Sequence, residues 1–289
     1  MIGIGGGSAL DMAKAMAVLV NNPKPAIEYR GFDKMTEPVL PIIAIPTTAG
    51  TGSEVTPNAS FVDSKEKKKL GINGESVRPK YALLDPELTL SCPIKPSVSS
   101  GIDSLVHATE AYVAHKTNPL ARLFAKEGIA LVSQYLPKVV AEPENIEYRS
   151  KVMTGAFFSG VALMHSGTGP AAALSYPLGV HYPVPHGFAG GIFLPLVIRH
   201  NIQQGVYDYA DLVDKSRFHD SKAGAELYLK EMEELWVKVE MPKDIKRYGF
   251  KEQDLPKFIK ETMDLKGALD QNPVPFYEKE IEFVLRQVM

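Results

Sequence analysis

The sequence predicts an α/β unit followed by an all-helical one, and three observations carry that reading. Two short apolar runs early in the chain each end in a loop rich in glycine and hydroxyl side chains, as buried parallel strands do. After Asp85-Pro86 the pattern changes to apolar residues at three- and four-residue spacing, with almost no strand signal. The chain has 289 residues, room for one large or two ordinary domains, and needs no staple to hold a core. Pro93 and Pro96 mark the expected boundary, giving an α/β domain over 1–92 and a helical domain over 93–289.

Ile2 to Ile4 reads as a short strand running into Gly5-Gly6-Gly7. Ser8 then opens a helix whose apolar stripe is Ala9, Met12, Ala13, Met16, Ala17 and Val20, and Asn21-Asn22-Pro23 stops it. Ile42 to Ile45, between Pro41 and Pro46, is a continuous apolar run that suits a buried parallel strand. Ala59–Asp63 and Tyr81–Asp85 read as further strands, and Lys65 to Lys69 as a charged, hairpin-like loop. In the second unit, Ser97–Ala114, Ala121–Leu136, Ile146–Met164 and Lys222–Val239 carry the periodicity of core-facing helices. Another helix is expected from near Ala171, after the breaker-rich turn Ser166–Pro170. Met12, Met16 and the Phe157-Phe158 pair read as core. A sheet that begins at residue 2 lacks the strands that normally flank it, so it is expected to be small or to be missing its amino-terminal part.

Composition excludes several function classes. Lys plus Arg is 32 and Asp plus Glu is 34, so a net charge of -2 gives no electrostatic reason for a nucleic-acid or membrane partner. The longest nearly apolar run, Gly187 to Ile198, is too short to span a bilayer and contains Pro195. The first residues carry no positive charge ahead of an apolar run, so no signal peptide is expected. A single cysteine, Cys92, rules out an internal disulfide framework and fits a reducing compartment, so a cytoplasmic location is expected.

Two loops and one helix carry the chemistry. Gly5-Gly6-Gly7-Ser8 lies between strand and helix, where glycines let the backbone approach a diphosphate and the helix start offers free N–H groups. Ser8 stands where the last glycine of a G-x-G-x-x-G would be, and a tight strand-to-helix turn would use the same glycines. Pro46 to Glu54 follows a buried strand at its carboxyl end, the edge where open α/β sheets bind ligands. Its hydroxyls and glycines suit a ribose and a nicotinamide amide, and two such loops together favour a nucleotide. Asp103 and His107 stand four apart on a predicted helix, so both emerge on one face and can share a metal. Glu110 lies near the same face; an exposed Asp–His pair that only supports its helix is the alternative. His186, stiffened by Pro183 and Pro185 and followed by Gly187, is a candidate ligand, a core histidine being the alternative. His181 reads as a loop residue with no role, and His165 directly precedes the breaker-rich turn.

These motifs occur in an order that resembles the iron-dependent (group III) alcohol dehydrogenases. Gly5 to Lys14 resembles that family's GGGS-x-x-D-x-x-K segment, and Pro46 to Glu54 matches its PTTAGTGSE loop. Asp85 to Thr89, Gly101 to Tyr112, and Tyr176 to Gly179 with Pro185 to Gly187 follow its later motifs in order. The resemblance implies a partial Rossmann-like parallel-sheet domain and a helical-bundle domain, a dehydroquinate synthase-like arrangement with the site between them. It implies NAD or NADP as cofactor, Fe2+ or Zn2+ as metal, a small alcohol and its aldehyde or ketone as substrates, and a homo-oligomer. By similarity, Gly6, Gly7, Ser8 and Asp11 would serve the diphosphate turn. Thr47, Thr48, Thr51 and Ser53 would line the ribose and nicotinamide, and Lys69 would reach a ribose hydroxyl. Asp103, His107 and His186 would be metal ligands.

Two departures are visible. The strand–helix units expected ahead of the glycine turn are missing, so the chain reads as amino-terminally truncated. The family's remaining metal-ligand histidine falls at Ala172, fourteen residues before His186, and a second histidine position is Tyr176. Three ligands and an open position suffice for a catalytic metal. Without one, Tyr176 or His186 is the expected general acid–base. Three readings follow: a metal-assisted dehydrogenase of small alcohols, a metal-independent or sugar/polyol-specialised one, and an inactive nucleotide-binding fragment.

Overall fold

The computed structural model describes residues 1–63 and 68–289, the side chains of 68–70 excepted. The strands come first. β1 (Ile2–Gly5), β3 (Ile43–Pro46) and β6 (Tyr81–Ala82) form a parallel sheet in the order β1-β3-β6, with Gly3 opposite Ala44. A second sheet, in the order β2-β5-β4, pairs β2 (Gly31–Phe32) parallel to β5 (Lys68–Asn73) and β4 (Asn58–Asp63) antiparallel to it. Lys68 and Lys69 therefore belong to a strand and not to a loop, and the rest of the predicted charged loop, 65–67, lies outside the described residues. Only Tyr81–Ala82 of the expected strand 81–85 pairs as a strand: Leu83 N still donates to Ala44 O, and Asp85 then caps the turn that Pro86 begins.

α1 (Gly7–Leu19) covers one face of the parallel sheet. A Cβ on Gly3 would lie 2.7 Å from that of Ala13, so strand and helix backbones are in near contact. The buried face of α1 is Leu10, Ala13, Lys14, Ala17 and Val18, the i, i+3, i+4, i+7, i+8 series of an amphipathic helix. This corrects the stripe read from sequence. Met12, Met16 and Val20 are exposed, because the alanines, small enough for close approach, turn the other face inward. Ile2 and Ile4, on the sheet face away from α1, are exposed as well.

The helices follow. α2 (Ile94–Val113), α3 (Pro119–Ala141), α4 (Ile146–Ser166), α5 (Pro170–His181), α6 (His186–Gln203) and α7 (Ser221–Lys238) are the long ones, and α8 (Leu255–Met263), α9 (Lys266–Leu269) and α10 (Glu278–Gln287) complete the chain. Asn118, Asn145 and Asp220 cap α3, α4 and α7 with side-chain oxygens, which places their starts. α3 runs through Pro137 to Ala141, past its expected end, giving up the one bond that proline cannot donate. α2 is the central helix. It packs against α3, α4, α5 and α6, and Val98, Ile102, Leu105 and Val106 join Leu136, Phe188, Phe193 and Trp236 in one core. Phe157 and Phe158 are half-buried and in ring contact. Among the described residues no helix is long and apolar enough to cross a membrane.

The strand-bearing and helical parts meet along the loop after β3. A Cβ on Gly50 would fall 2.3 Å from Ser100 O of α2, and one on Gly52 (φ +67) would fall 2.6 Å from Gly160 Cα of α4. Only glycine permits backbones this close. The same contacts leave a cleft beside them.

Candidate active site in the cleft

The cleft encloses about 870 Å³. Its floor is the glycine turn Gly6–Ala9 with Thr48, Thr51 and Ser53 from the loop after β3, and Asn58, Ser60, Gly71 and Asn73 come from the second sheet. Facing them are Ser100, Asp103 and His107 of α2, Leu163 and Met164 of α4, Gly167, Thr168 and Tyr176 at and beyond the α4–α5 turn, and His186. Phe32 lies at the wall and is strongly exposed. The sequence reading missed Phe32, Asn58, Ser60, Asn73 and Thr168, none of which sits in a distinctive motif.

The glycine turn has two physical reasons for its composition. Gly5 has φ +146, a conformation that L side chains rarely adopt, and Gly6 caps α1 in extended conformation with no side-chain bond to the first-turn amides. A Cβ on Gly6 would approach Thr48 Oγ1 to 3.3 Å, and one on Gly7 would reach 2.7 Å from Thr51 Cγ2. The glycines thus admit the neighbouring threonines as well as leaving N–H groups open to an anion. Ser8 is exposed beside them.

Asp11 sits at the edge of the cleft but its carboxylate is engaged. Ser53 Oγ donates to Oδ1 at 2.6 Å and Ser60 N to Oδ2 at 3.0 Å, while Lys14 Nζ stands 3.9 Å away. Lys14 is fully buried and donates to Thr56 O at 2.9 Å and Asn58 O at 2.8 Å. Burial lowers its pKa to about 8, against the pull of Asp11 and Glu54. Burial likewise pushes the Glu54 carboxyl up, opposed by a backbone hydrogen bond and by Lys14. This buried brace was not read from the sequence, although the D-x-x-K spacing contains two of its members. Among the described residues Thr47 does not line the cleft; its amide donates to Gly5 O at 2.9 Å. The Lys69 side chain lies outside the described residues.

Across the cleft, Asp103, His107 and His186 converge. His107 Nε2 and His186 Nε2 each stand 3.8 Å from Asp103 Oδ1, and one ligand atom from each of the three residues lies within 4.8 Å of the others. Asp103 and His107 are buried, while His186 is partly open to the cleft. His107 Nδ1 is buried with no hydrogen-bond partner among the described residues. One carboxylate and two imidazoles at this spacing are a donor set suited to Fe2+ or Zn2+, with coordination positions left for substrate. The geometry depends on Gly187. A Cβ there would lie 1.7 Å from Ser99 O, so α6 begins in contact with the α2 backbone and delivers His186 to Asp103. Tyr176 of α5 stacks on His186, ring centres 5.9 Å apart and planes 15° from parallel.

The other residues named from sequence lie elsewhere. Glu110 does not join the Asp–His group; its carboxylate is fully buried against the start of α5. Ala172 is buried, with only a methyl group to offer. His165 is exposed at the end of α4, and His181 pairs with Glu261 at 2.7 Å.

Comparison with known proteins accounts for the arrangement. Residues 1–86 match the family described as iron-containing alcohol dehydrogenase, and residues 97–289 match the C-terminal part of the Fe-containing alcohol dehydrogenase family. The NAD-dependent methanol dehydrogenase of Bacillus methanolicus is 33% identical over 268 residues, covering 91% of this chain and 70% of the relative. Long-chain-alcohol dehydrogenase 1 of Geobacillus thermodenitrificans is 33% identical over 98% of this chain and 73% of its own. Among solved structures, a 1,3-propanediol oxidoreductase superposes with a TM-score of 0.94 at 29% identity, covering 100% of this chain and 76% of the other. The sulfoacetaldehyde reductase of Bifidobacterium kashiwanohense, solved with NAD+, gives 0.88 at 32%, covering 99% and 75%. A glycine turn facing an Asp–His–His group across one cleft, in a chain matched along nearly its whole length, makes this protein a member of the iron-containing alcohol dehydrogenase family, an oxidoreductase of alcohols and their carbonyl partners.

Proposed function

We propose that the chain transfers hydride between a small alcohol and the nicotinamide of NAD, within a nucleotide domain over 1–92 and a helical domain over 93–289. The observation that carries this reading is the meeting of Asp103, His107 and His186 across the cleft from the Gly6–Ser8 turn. In this reading the first amides of α1 and the Ser8 hydroxyl hold the diphosphate. Thr48, Thr51 and Ser53 hold the ribose and nicotinamide end, and Asp11 fixes Ser53 through the 2.6 Å bond. NAD is favoured because a relative at 33% identity is described as NAD-dependent and a structural neighbour was solved with NAD+.

Asp103, His107 and His186 would hold a divalent metal, which when bound supplies Lewis-acid polarisation of the substrate oxygen. The chain's own groups do the rest. Leu163 and Met164 shield the alcohol carbon from bulk water, and the Tyr176 hydroxyl, on the cleft wall beside His186, relays the proton that the alcohol oxygen releases as hydride leaves its carbon, taking it while handing its own proton to solvent at the cleft mouth. A metal-independent variant of this chemistry draws support from the Tyr176–His186 stack, which places an acid–base pair together.

The test is nicotinamide reduction by short alcohols and diols, with and without added ferrous iron or zinc, alongside metal analysis of protein purified without chelator. Turnover that rises with metal, and an Asp103→Ala variant that retains none, is the expected result. Equal metal in both proteins would remove Asp103 from the site, and metal-indifferent turnover would select the metal-independent variant. No turnover of any alcohol with NAD or NADP would overturn the reading.

A further inference from the structure

Glu110 takes no part in the chemistry above, yet it joins the two helices that carry most of the cleft's reactive wall. It follows His107 by three residues on α2 and is fully enclosed. Its oxygens accept the amides of Gly169 at 2.8 Å, Ala171 at 2.6 Å and Ala172 at 3.3 Å. Those amides belong to the start of α5, which has no side-chain cap from its own N-cap residue, Gly169. A carboxylate from the neighbouring helix therefore does the work of a cap, with the sign that the helix dipole favours. The fit is close: a Cβ on Gly169 would lie 2.8 Å from Glu110 Oε1.

The two ends of this clamp lead to the cleft. On one side α2 carries Asp103 and His107. On the other, Gly167 and Thr168 lead into α5 along the cleft wall, and Tyr176 stands on α5 itself, against His186. Burial is expensive for a carboxylate and pushes the Glu110 pKa up to about 7, while the three amides pull it down. A neutral, apolar side chain would avoid that expense but would leave three amides open.

We propose that Glu110 is a positioning residue: by clamping the first turn of α5 it sets Tyr176 against His186 and Thr168 at the cleft wall. The inference rests on the reading of this cleft as the active site. It concerns a residue that touches neither substrate nor cofactor, so its signature is coupling to Tyr176 rather than mere loss of activity.

The experiment is a double-mutant cycle on the full chain with Glu110→Gln and Tyr176→Phe. Glutamine keeps the shape and one acceptor but turns an N–H donor toward the α5 amides. In Glu110→Gln, kcat should fall by about 10- to 100-fold, the scale of a misplacement near 1 Å. KM for the nucleotide and the bound metal should stay unchanged. Tyr176→Phe should add little to that loss in the double variant; full additivity would overturn the proposal. A second readout needs no activity. In fluorotyrosine-labelled protein, the resonance that Tyr176→Phe removes should shift in Glu110→Gln, and an unmoved resonance would overturn the proposal. A wild-type chain that turns over no alcohol would defeat the proposed function and leave this spectroscopic test in force.

Discussion

Gly187→Ala puts the geometry of the candidate metal group under direct test. The added methyl would lie 1.7 Å from Ser99 O, 2.7 Å from Ser99 C and 3.0 Å from Asp103 Cβ. An ordinary carbon–oxygen contact needs about 3.3 Å, so the start of α6 must retreat from α2 by about 1.6 Å. His186 is the neighbouring residue and must move with it. Its Nε2 already stands 3.8 Å from Asp103 Oδ1, and a further shift of that size takes it beyond the reach of a shared ion. Overpacking of this kind destabilises by about 1–3 kcal/mol. Loss of ligand placement should reduce metal retention by about 10- to 100-fold and kcat/KM by about 100-fold. Metal content after gel filtration, thermal midpoint and initial rates measure the three effects. Gly179→Ala is the matched control. Among the described residues nothing lies within 4 Å of its added Cβ and it sits inside α5, so it should stabilise by about 0.4–1 kcal/mol and leave metal and rate alone. A Gly187→Ala protein with full metal content and full activity would show that the α6–α2 contact does not set the site.

Three further outcomes follow from charged groups that are buried or half-buried. Asp11→Asn weakens the support of Ser53 and should raise KM for the nucleotide about 10-fold, near the value of one charge-assisted hydrogen bond, with metal content unchanged. Lys14 releases its proton near pH 8 when folded and 10.5 when unfolded, so the unfolded chain binds more protons between these values. Stability should therefore gain up to about 3 kcal/mol from this group as pH rises through that window, and urea midpoints of Lys14→Met should lack the gain. Glu110 behaves oppositely: the folded chain holds its proton up to about pH 7 and the unfolded chain only to 4.5. Its contribution is present below pH 4.5 and lost as pH rises to 7, and Glu110→Gln should flatten that part of the urea-midpoint profile.

Local patterns made the frame of the site legible. Asp103 and His107 share a helix face by spacing alone, and the two glycine-rich loops are marked by the strands before them. His186 stood out because prolines precede it and a glycine follows. Packing decided what those patterns left open. Glu110 shares a helical face with His107 on paper, and only the arrival of the α5 amides turns it to another task. α1 is so rich in alanine that two stripes were available, and the sheet selected the one without methionine. Asp11 and Lys14 meet Ser53, Thr56 and Asn58 from more than forty positions away, a distance no periodicity reports.

Gly50 and Gly187 have a joint consequence. One sets the loop after β3 against the carbonyl of Ser100, the other sets α6 against that of Ser99, so a single turn of α2 is the abutment for both walls of the cleft. On the proposed reading, main-chain contacts therefore set the span from dinucleotide to ligand group. Leu163, Met164, Thr168 and Phe32 line the cleft but take no part in these two contacts, so on the proposed reading substitution there reshapes the pocket without changing the spacing of its walls.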